Sequence, residues 1–129
     1  MVDSEATTRG IHVTVRSSYV PERSLPAQGR WFFSYRIRIT NRGSIPVQLL
    51  NRHWVITDAH GEIEEVRGPG VIGEQPVMAP GESHEYTSFC PLATPFGTME
   101  GSYEMVTEDG ERFWAKVGQF TLSQPLAVN

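Results

Sequence analysis

The sequence predicts an all-β sandwich, and three observations carry that prediction. Apolar side chains recur at every second residue in one segment after another, the period at which a half-buried strand shows one face to a core. Glycine, proline, asparagine and aspartate cluster between those segments, where turns need them. No stretch sustains the 3.6-residue period of an amphipathic helix.

Residues 1–8 are small and polar and read as a flexible end. Ile11, Val13 and Val15 then share one face, with His12, Thr14 and Arg16 on the other. Pro21, Pro26 and Gly29 mark a loop up to Arg30. Trp31 to Asn41 is the clearest strand. Trp31, Phe33, Tyr35, Ile37 and Ile39 alternate with Phe32, Ser34, Arg36, Arg38 and Thr40. Burying one such apolar side chain is worth roughly 1.5–3 kcal/mol, so this strand belongs at the centre of the core.

Asn41-Arg42-Gly43-Ser44 is a turn. The next strand begins with Val47 and Leu49 on odd positions but continues with Trp54 and Ile56 on even ones. A change of parity without a turn predicts a bulge near Asn51 to His53. Asp58-Ala59-His60-Gly61 turns the chain, and Glu62 to Val66 returns it. Val66 to Pro80 holds Gly68, Gly70 and Gly73 with Pro69, Pro76 and Pro80, and reads as a long shaped loop. Ser83 to Phe89 alternates again and ends at Cys90-Pro91. An irregular loop up to Gly97 precedes the strand Thr98 to Thr107. Asp109-Gly110 suits a type I′ hairpin turn into the last strand, Arg112 to Leu122, interrupted at Gly118. Residues 123–129 read as a second flexible end.

These elements make one domain, residues 1–129, with its core between about residues 9 and 122. About seven short strands favour an immunoglobulin/fibronectin-type-III-like β-sandwich over a barrel. There is no Cys-Trp-Cys framework of the antibody kind.

A net charge of −4 argues against a general nucleic-acid binder, so no nucleic acid is expected as a partner. Arg36, Arg38 and Arg42 form a local basic cluster all the same. With Cys90 as the single cysteine no intramolecular disulfide can form, which suits a reducing compartment. The acidic N-terminus lacks the apolar stretch of a signal peptide, and no apolar run has membrane-spanning length. A cytoplasmic protein is the simplest expectation.

Gly68, Gly70 and Gly73 fit G-x-G-x-x-G. In a dinucleotide fold a helix must follow that motif, and Pro76 and Pro80 oppose one. What survives is a nest of backbone N–H groups able to hold an anion, with Arg67 at its edge for phosphate. The alternative is a loop whose glycines only meet conformational demands. His12, His53, His60, His84 and Cys90 have no metal-ligand spacing, so no metal or other cofactor is expected. Cys90 reads as a small buried residue at a strand end. No G-x-S-x-G elbow and no acid–base pair is present, so an enzyme is not expected. Phe32, Phe89 and Trp114 fall on the parity opposite the core and predict apolar patches on outer sheet faces, where a partner protein would sit.

One further observation comes from the combination of motifs. Arg52-His53-Trp54, Thr57-Asp58 and Val66 to Pro76 are followed by Pro80-Gly81, Tyr86-Thr87-Ser88, Cys90-Pro91-Leu92 and Thr94-Pro95. Gly97, Met99, Gly101, Tyr103 and Met105-Val106 complete the set. In these residues the chain resembles the bacterial ApaG family. The resemblance implies a fibronectin-type-III-like sandwich and an association with cobalt resistance and magnesium efflux. It also implies protein–protein binding, because the same domain occurs in eukaryotic F-box proteins and in a DNA-polymerase-interacting protein. The family's glycine motif has been likened to a pyrophosphate-binding loop. Without a membrane span, any part in cation export is indirect. The function expected is a non-enzymatic interaction module with a protein partner. The alternative is a sensor of pyrophosphate or nucleotide phosphates at Arg67, Gly68, Gly70 and Gly73.

Overall fold

Alternation decides which residues meet between the sheets. Ile11, Val13 and Val15 from one strand and Phe33, Ile37 and Ile39 from the next are almost wholly buried. Leu49, Met99, Tyr103, Met105, Val117 and Leu122 face them from the opposite sheet. Trp54 sits at the middle, edge-on to Tyr35, Tyr103 and Phe120 at ring-centroid distances of 5.5, 6.0 and 6.1 Å, a geometry that matches the aromatic quadrupole.

The computed structural model of the protein describes residues 1–125. Its strands are β1 (Ser4–Thr8), β2 (Ile11–Tyr19), β3 (Trp31–Asn41), β4 (Val47–Asp58), β5 (Ile63–Pro69), β6 (Val77–Met78), β7 (Ser83–Leu92), β8 (Phe96–Thr107) and β9 (Arg112–Ser123). Helical structure among the described residues is limited to two single 3-10 turns, Pro21–Arg23 and Pro26–Gln28. One antiparallel sheet has the order β1-β2-β3-β7, the other β5-β4-β8-β9 with β6 also paired to β4. The expected all-β sandwich is therefore present, with more strands than the pattern predicts.

β1 and β9 run together along one side, where the Lys116 amide donates to Thr8 Oγ1 at 3.0 Å. β7 and β5 are the opposite edges of the two sheets, and Glu74, between β5 and β6, approaches His84 of β7 at 3.6 Å.

Several expectations need correction. Residues 1–8 are not a loose end: Ser4 to Thr8 pairs with β2, from Ser4 opposite Val15 to Thr8 opposite Ile11. Arg9 (φ 48°) and Gly10 (φ 84°) make the two-residue turn between them, the conformation a tight hairpin requires. Small side chains hide the alternation of β1. At the other end Ser123 closes β9, and residues 126–129 lie outside the described residues. A bulge is present in β4, but at Leu50, just ahead of the expected Asn51 to His53, since the register of β4 on β8 slips between Leu49 and Asn51. The interruption at Gly118 is a second slip, opposite Met99 and Gly101.

The turn at Asp109 is not type I′, because only Gly110 (φ 86°) is left-handed. Thr107 and Glu111 close a three-residue loop, and the Thr107 hydroxyl donates to the Asp109 carboxylate inside it. Val66 to Pro80 is not one loop either. β5 continues through Arg67 and Gly68 to Pro69, and Val77-Met78 pairs with β4, leaving the irregular chain between Gly70 and Pro76.

Candidate functional site

The glycine-rich segment is a tight turn clamped onto the end of β4. The Val71 amide donates to the Glu74 carbonyl at 2.8 Å and the Glu74 amide returns to Val71 at 3.0 Å. Ile72 (φ 46°) and Gly73 (φ 73°) are both left-handed, which makes Val71 to Glu74 a type I′ turn. The Gly70 amide and the Gln75 side-chain amide both donate to the Leu50 carbonyl, at 2.8 and 2.9 Å. Gly70 (φ 61°) must be glycine: a β-carbon there would stand 2.3 Å from the Glu74 carbonyl oxygen. Val71 is buried in the core at 1% exposure, whereas Ile72 projects at 61%.

Arg52 fills the concave side of this segment. It is the register partner of Gly68 on β5 and of Tyr103 on β8, so it starts from the sheet face turned to the core. Its Nη1 donates to the carbonyls of Pro69 and Gly70 at 2.8 and 3.0 Å. Arg67 precedes Gly68 on the strand and so takes the opposite face. There it pairs with Glu65 at 3.5 Å, and His53 Nε2 holds the same carboxylate at 2.8 Å.

The four predicted residues thus do not close into one cradle. Gly68 makes room for Arg52, Gly70 and Gly73 shape the turn, and Arg67 lies on the outer face. The Gly70, Val71 and Glu74 amides are already spent on carbonyls. The amides of Ile72 and Gly73 have no backbone partner among the described residues. The sequence motifs include Arg52 but give it no role at this turn, although its even parity beside Trp54 places it on the core side. Arg67 borders a shallow concavity of about 340 Å³ with Asn51, Arg52, Gly68, Pro69, Glu104 and Trp114.

Between β7 and β8 the core turns polar. Tyr86 and Tyr103 join hydroxyl to hydroxyl across the two sheets. Burial raises the pKa of Tyr86, Tyr103 and Tyr35 alike, while the nearby Arg52 charge pulls the other way. Burial, and secondarily Glu64, pushes the Cys90 thiol up to about 12. A thiol so held is protonated at neutral pH and a poor nucleophile, in line with the buried-residue reading of Cys90. His84 Nε2 is buried without a hydrogen bond among the described residues, 3.6 Å from Glu74 Oε2. No group of three or more His, Cys, Asp or Glu side chains gathers as a metal site among the described residues.

The off-parity aromatics lie where alternation puts them. Phe32 and Phe89 stack at 5.5 Å on the outer face of their sheet, with the Arg23 guanidinium 4.5 Å from the Phe32 ring centre. Trp114 is 45% exposed on the outer face of the other sheet. No helix among the described residues is long and apolar enough to cross a membrane.

Comparison with known proteins bears on this arrangement. The family model of the ApaG domain matches residues 21–107. Protein ApaG of Anaeromyxobacter dehalogenans is 55% identical over 126 residues, covering 98% of this chain and 99% of the relative. Protein ApaG of Azorhizobium caulinodans is 56% identical over 120 residues, covering 93% and 92%. Among solved structures, a Bordetella pertussis protein named ApaA superposes with a TM-score of 0.87 at 47% identity, covering 98% of this chain and 100% of that one.

Proposed function

The chain belongs to the ApaG domain family, and on that premise we propose that it is a non-enzymatic binding module that docks a partner protein at the turn around Ile72. One observation carries this reading. Ile72 is a β-branched residue held at φ 46° and 61% exposed. That conformation is costly for isoleucine, and exposing the side chain recovers nothing from the core. Val71 buries beside it and Leu50 accepts the hydrogen bonds of Gly70 and Gln75, so the projecting side chain stands on a rigid base. A preorganised apolar knob suits a protein surface, because little conformational freedom is lost on docking.

In this reading the association with cobalt resistance and magnesium efflux is indirect and belongs to the partner. The module acts in the cytoplasm, which its single buried cysteine supports. The test is affinity capture with the immobilised protein. A specific partner captured by the parent and by Arg67→Ala, but lost with Ile72→Asp, is the expected outcome. Capture unaffected by Ile72→Asp would remove the turn from the interface.

A second reading, a sensor of pyrophosphate or nucleotide phosphates at the glycine-rich segment, draws on the amides of Ile72 and Gly73, which have no backbone partner among the described residues, with Arg67 on the outer face of β5 as a separate charge. Two amides without a helix dipole make a weak nest. Calorimetric titration with pyrophosphate tests it: Arg67→Ala should weaken binding by about ten- to a hundredfold if a charge-assisted contact forms.

A further inference from the structure

We propose that the outer face of the β1-β2-β3-β7 sheet carries a separate ligand site, formed by Arg16, Arg36 and Arg38, for a small molecule bearing two or more phosphate groups. Arg16 on β2 stands directly opposite Arg36 on β3, and Arg38 stands opposite Thr14. Their neighbours Val15, Ile37 and Ile39 are buried at 0% exposure, so alternation sends all three arginines to the outer face. Like charges directly opposite one another destabilise a sheet. Alternation puts Arg16 and Arg36 there without any core packing to gain from them.

The carboxylates nearby do not balance the charge. Glu85 alone serves two of the arginines, 2.9 Å from Arg36 and 3.6 Å from Arg38. Arg16 has no carboxylate within salt-bridge distance among the described residues. The Glu85 carboxyl is held below its usual range, first by the Arg36 hydrogen bond. Glu5, opposite Thr14 on the same face, lies against His12 instead, at 3.7 Å, so three guanidinium groups with Glu85 as their one ion-pair partner among the described residues leave an excess of positive charge on a chain whose net charge is −4.

The side chains also enclose space. Val2, Thr14, Arg16, Arg36, Arg38 and Glu85 border a concavity of about 380 Å³, within the size range of small-ligand sites. Guanidinium forks match phosphate oxygens two at a time, and the Thr14 hydroxyl adds a donor. An anion of at least two charges fits the excess left by Glu85. A long polyanion fits less well, because the net negative charge of the whole molecule repels it.

The test is calorimetric titration of the full chain with inorganic triphosphate and with ATP at low ionic strength. Saturable binding of one ligand per chain is expected, with sulfate far weaker. Arg16→Gln and Arg36→Lys should each weaken it about tenfold or more. Arg36→Lys keeps the charge, so its loss reports the fork geometry. Glu85→Gln should tighten binding. All three side chains are exposed, and a thermal melt of each variant checks that it is folded. Four results would overturn the proposal: no saturable binding at millimolar triphosphate; parent-like binding by Arg36→Lys, which means diffuse charge only; an equal loss with Arg67→Gln, which moves the site to the glycine turn; or a single-stranded oligonucleotide binding far more tightly than ATP, which makes the face a nucleic-acid surface.

Discussion

The Arg52 guanidinium lies against the bare α-carbon of Gly68: a β-carbon there would stand 2.9 Å from Nη2 and 3.1 Å from Cζ. The glycine of the motif therefore serves an arginine of its own chain. Gly68→Ala should push Arg52 off the Pro69 and Gly70 carbonyls and cost about 1–3 kcal/mol, the range for unpaired backbone groups. Arg52→Ala should cost a similar amount. In the double variant the clash has nothing left to displace, so its cost should fall well short of the sum. Urea denaturation of the four proteins decides it, and additive costs would dissolve the link.

Tyr86 and Tyr103 tie the two sheets by one hydroxyl pair inside the core. Tyr86→Phe leaves the wholly buried Tyr103 hydroxyl without that partner, and should cost about 1–3 kcal/mol. Replacing both by phenylalanine removes the orphan and should recover most of the loss. A double variant no more stable than the single would mean that water or another group satisfies the remaining hydroxyl.

The acid–base behaviour follows from the same cluster. Tyr35, Tyr86, Tyr103 and Cys90 all titrate higher in the fold than in the open chain, chiefly through burial. A raised pKa stabilises the fold fully below the unfolded value, and that stability is lost as pH rises toward the folded one. Stability should therefore begin to fall near pH 9.0, the ordinary thiol value, then more steeply beyond 10.0, that of tyrosine. Each group contributes up to about 1.4 kcal/mol per pH unit. Cys90→Ala should move the onset to the tyrosine range. On the acid side Glu85 and Asp109 are lowered, so their support is lost as pH falls, but both are exposed and solvent screens them. Denaturation midpoints across the pH range should thus show a steep alkaline arm and a shallow acid one.

How much of this was legible depended on what alternation can encode. β3 was plain because every second side chain is large and apolar, and the bulge in β4 showed itself as a change of parity. β1 was not, because Ser4, Ala6 and Thr8 carry too little apolar surface to mark a face. The glycine motif drew attention to the right segment but not to its geometry. Two of its glycines are left-handed and Gly68 is not, while the remaining left-handed position of the turn is Ile72, which no glycine pattern can flag. The reach of Arg52 from β4 to Pro69 and Gly70 joins residues 17 and 18 positions apart, and motif spacing within one segment is blind to it.

The turn itself offers the sharpest separation of structure from binding. Gly70→Ala meets the Glu74 backbone at 2.3 Å with φ 61° and should be strongly destabilising, by about 2 kcal/mol or more. At Gly73 an added β-carbon finds open space, so Gly73→Ala carries only the left-handed penalty of about 1 kcal/mol. Ile72 should behave in the opposite sense. Asparagine tolerates the left-handed region that isoleucine avoids, so Ile72→Asn should raise stability by about 1 kcal/mol. It should also weaken capture of the partner, because the projecting apolar surface is gone. Thermal melts and affinity capture on the same three variants read both effects. A less stable Ile72→Asn would mean that the isoleucine earns its place by packing. A more stable variant that still captures the partner would mean that the strain is unconnected with docking.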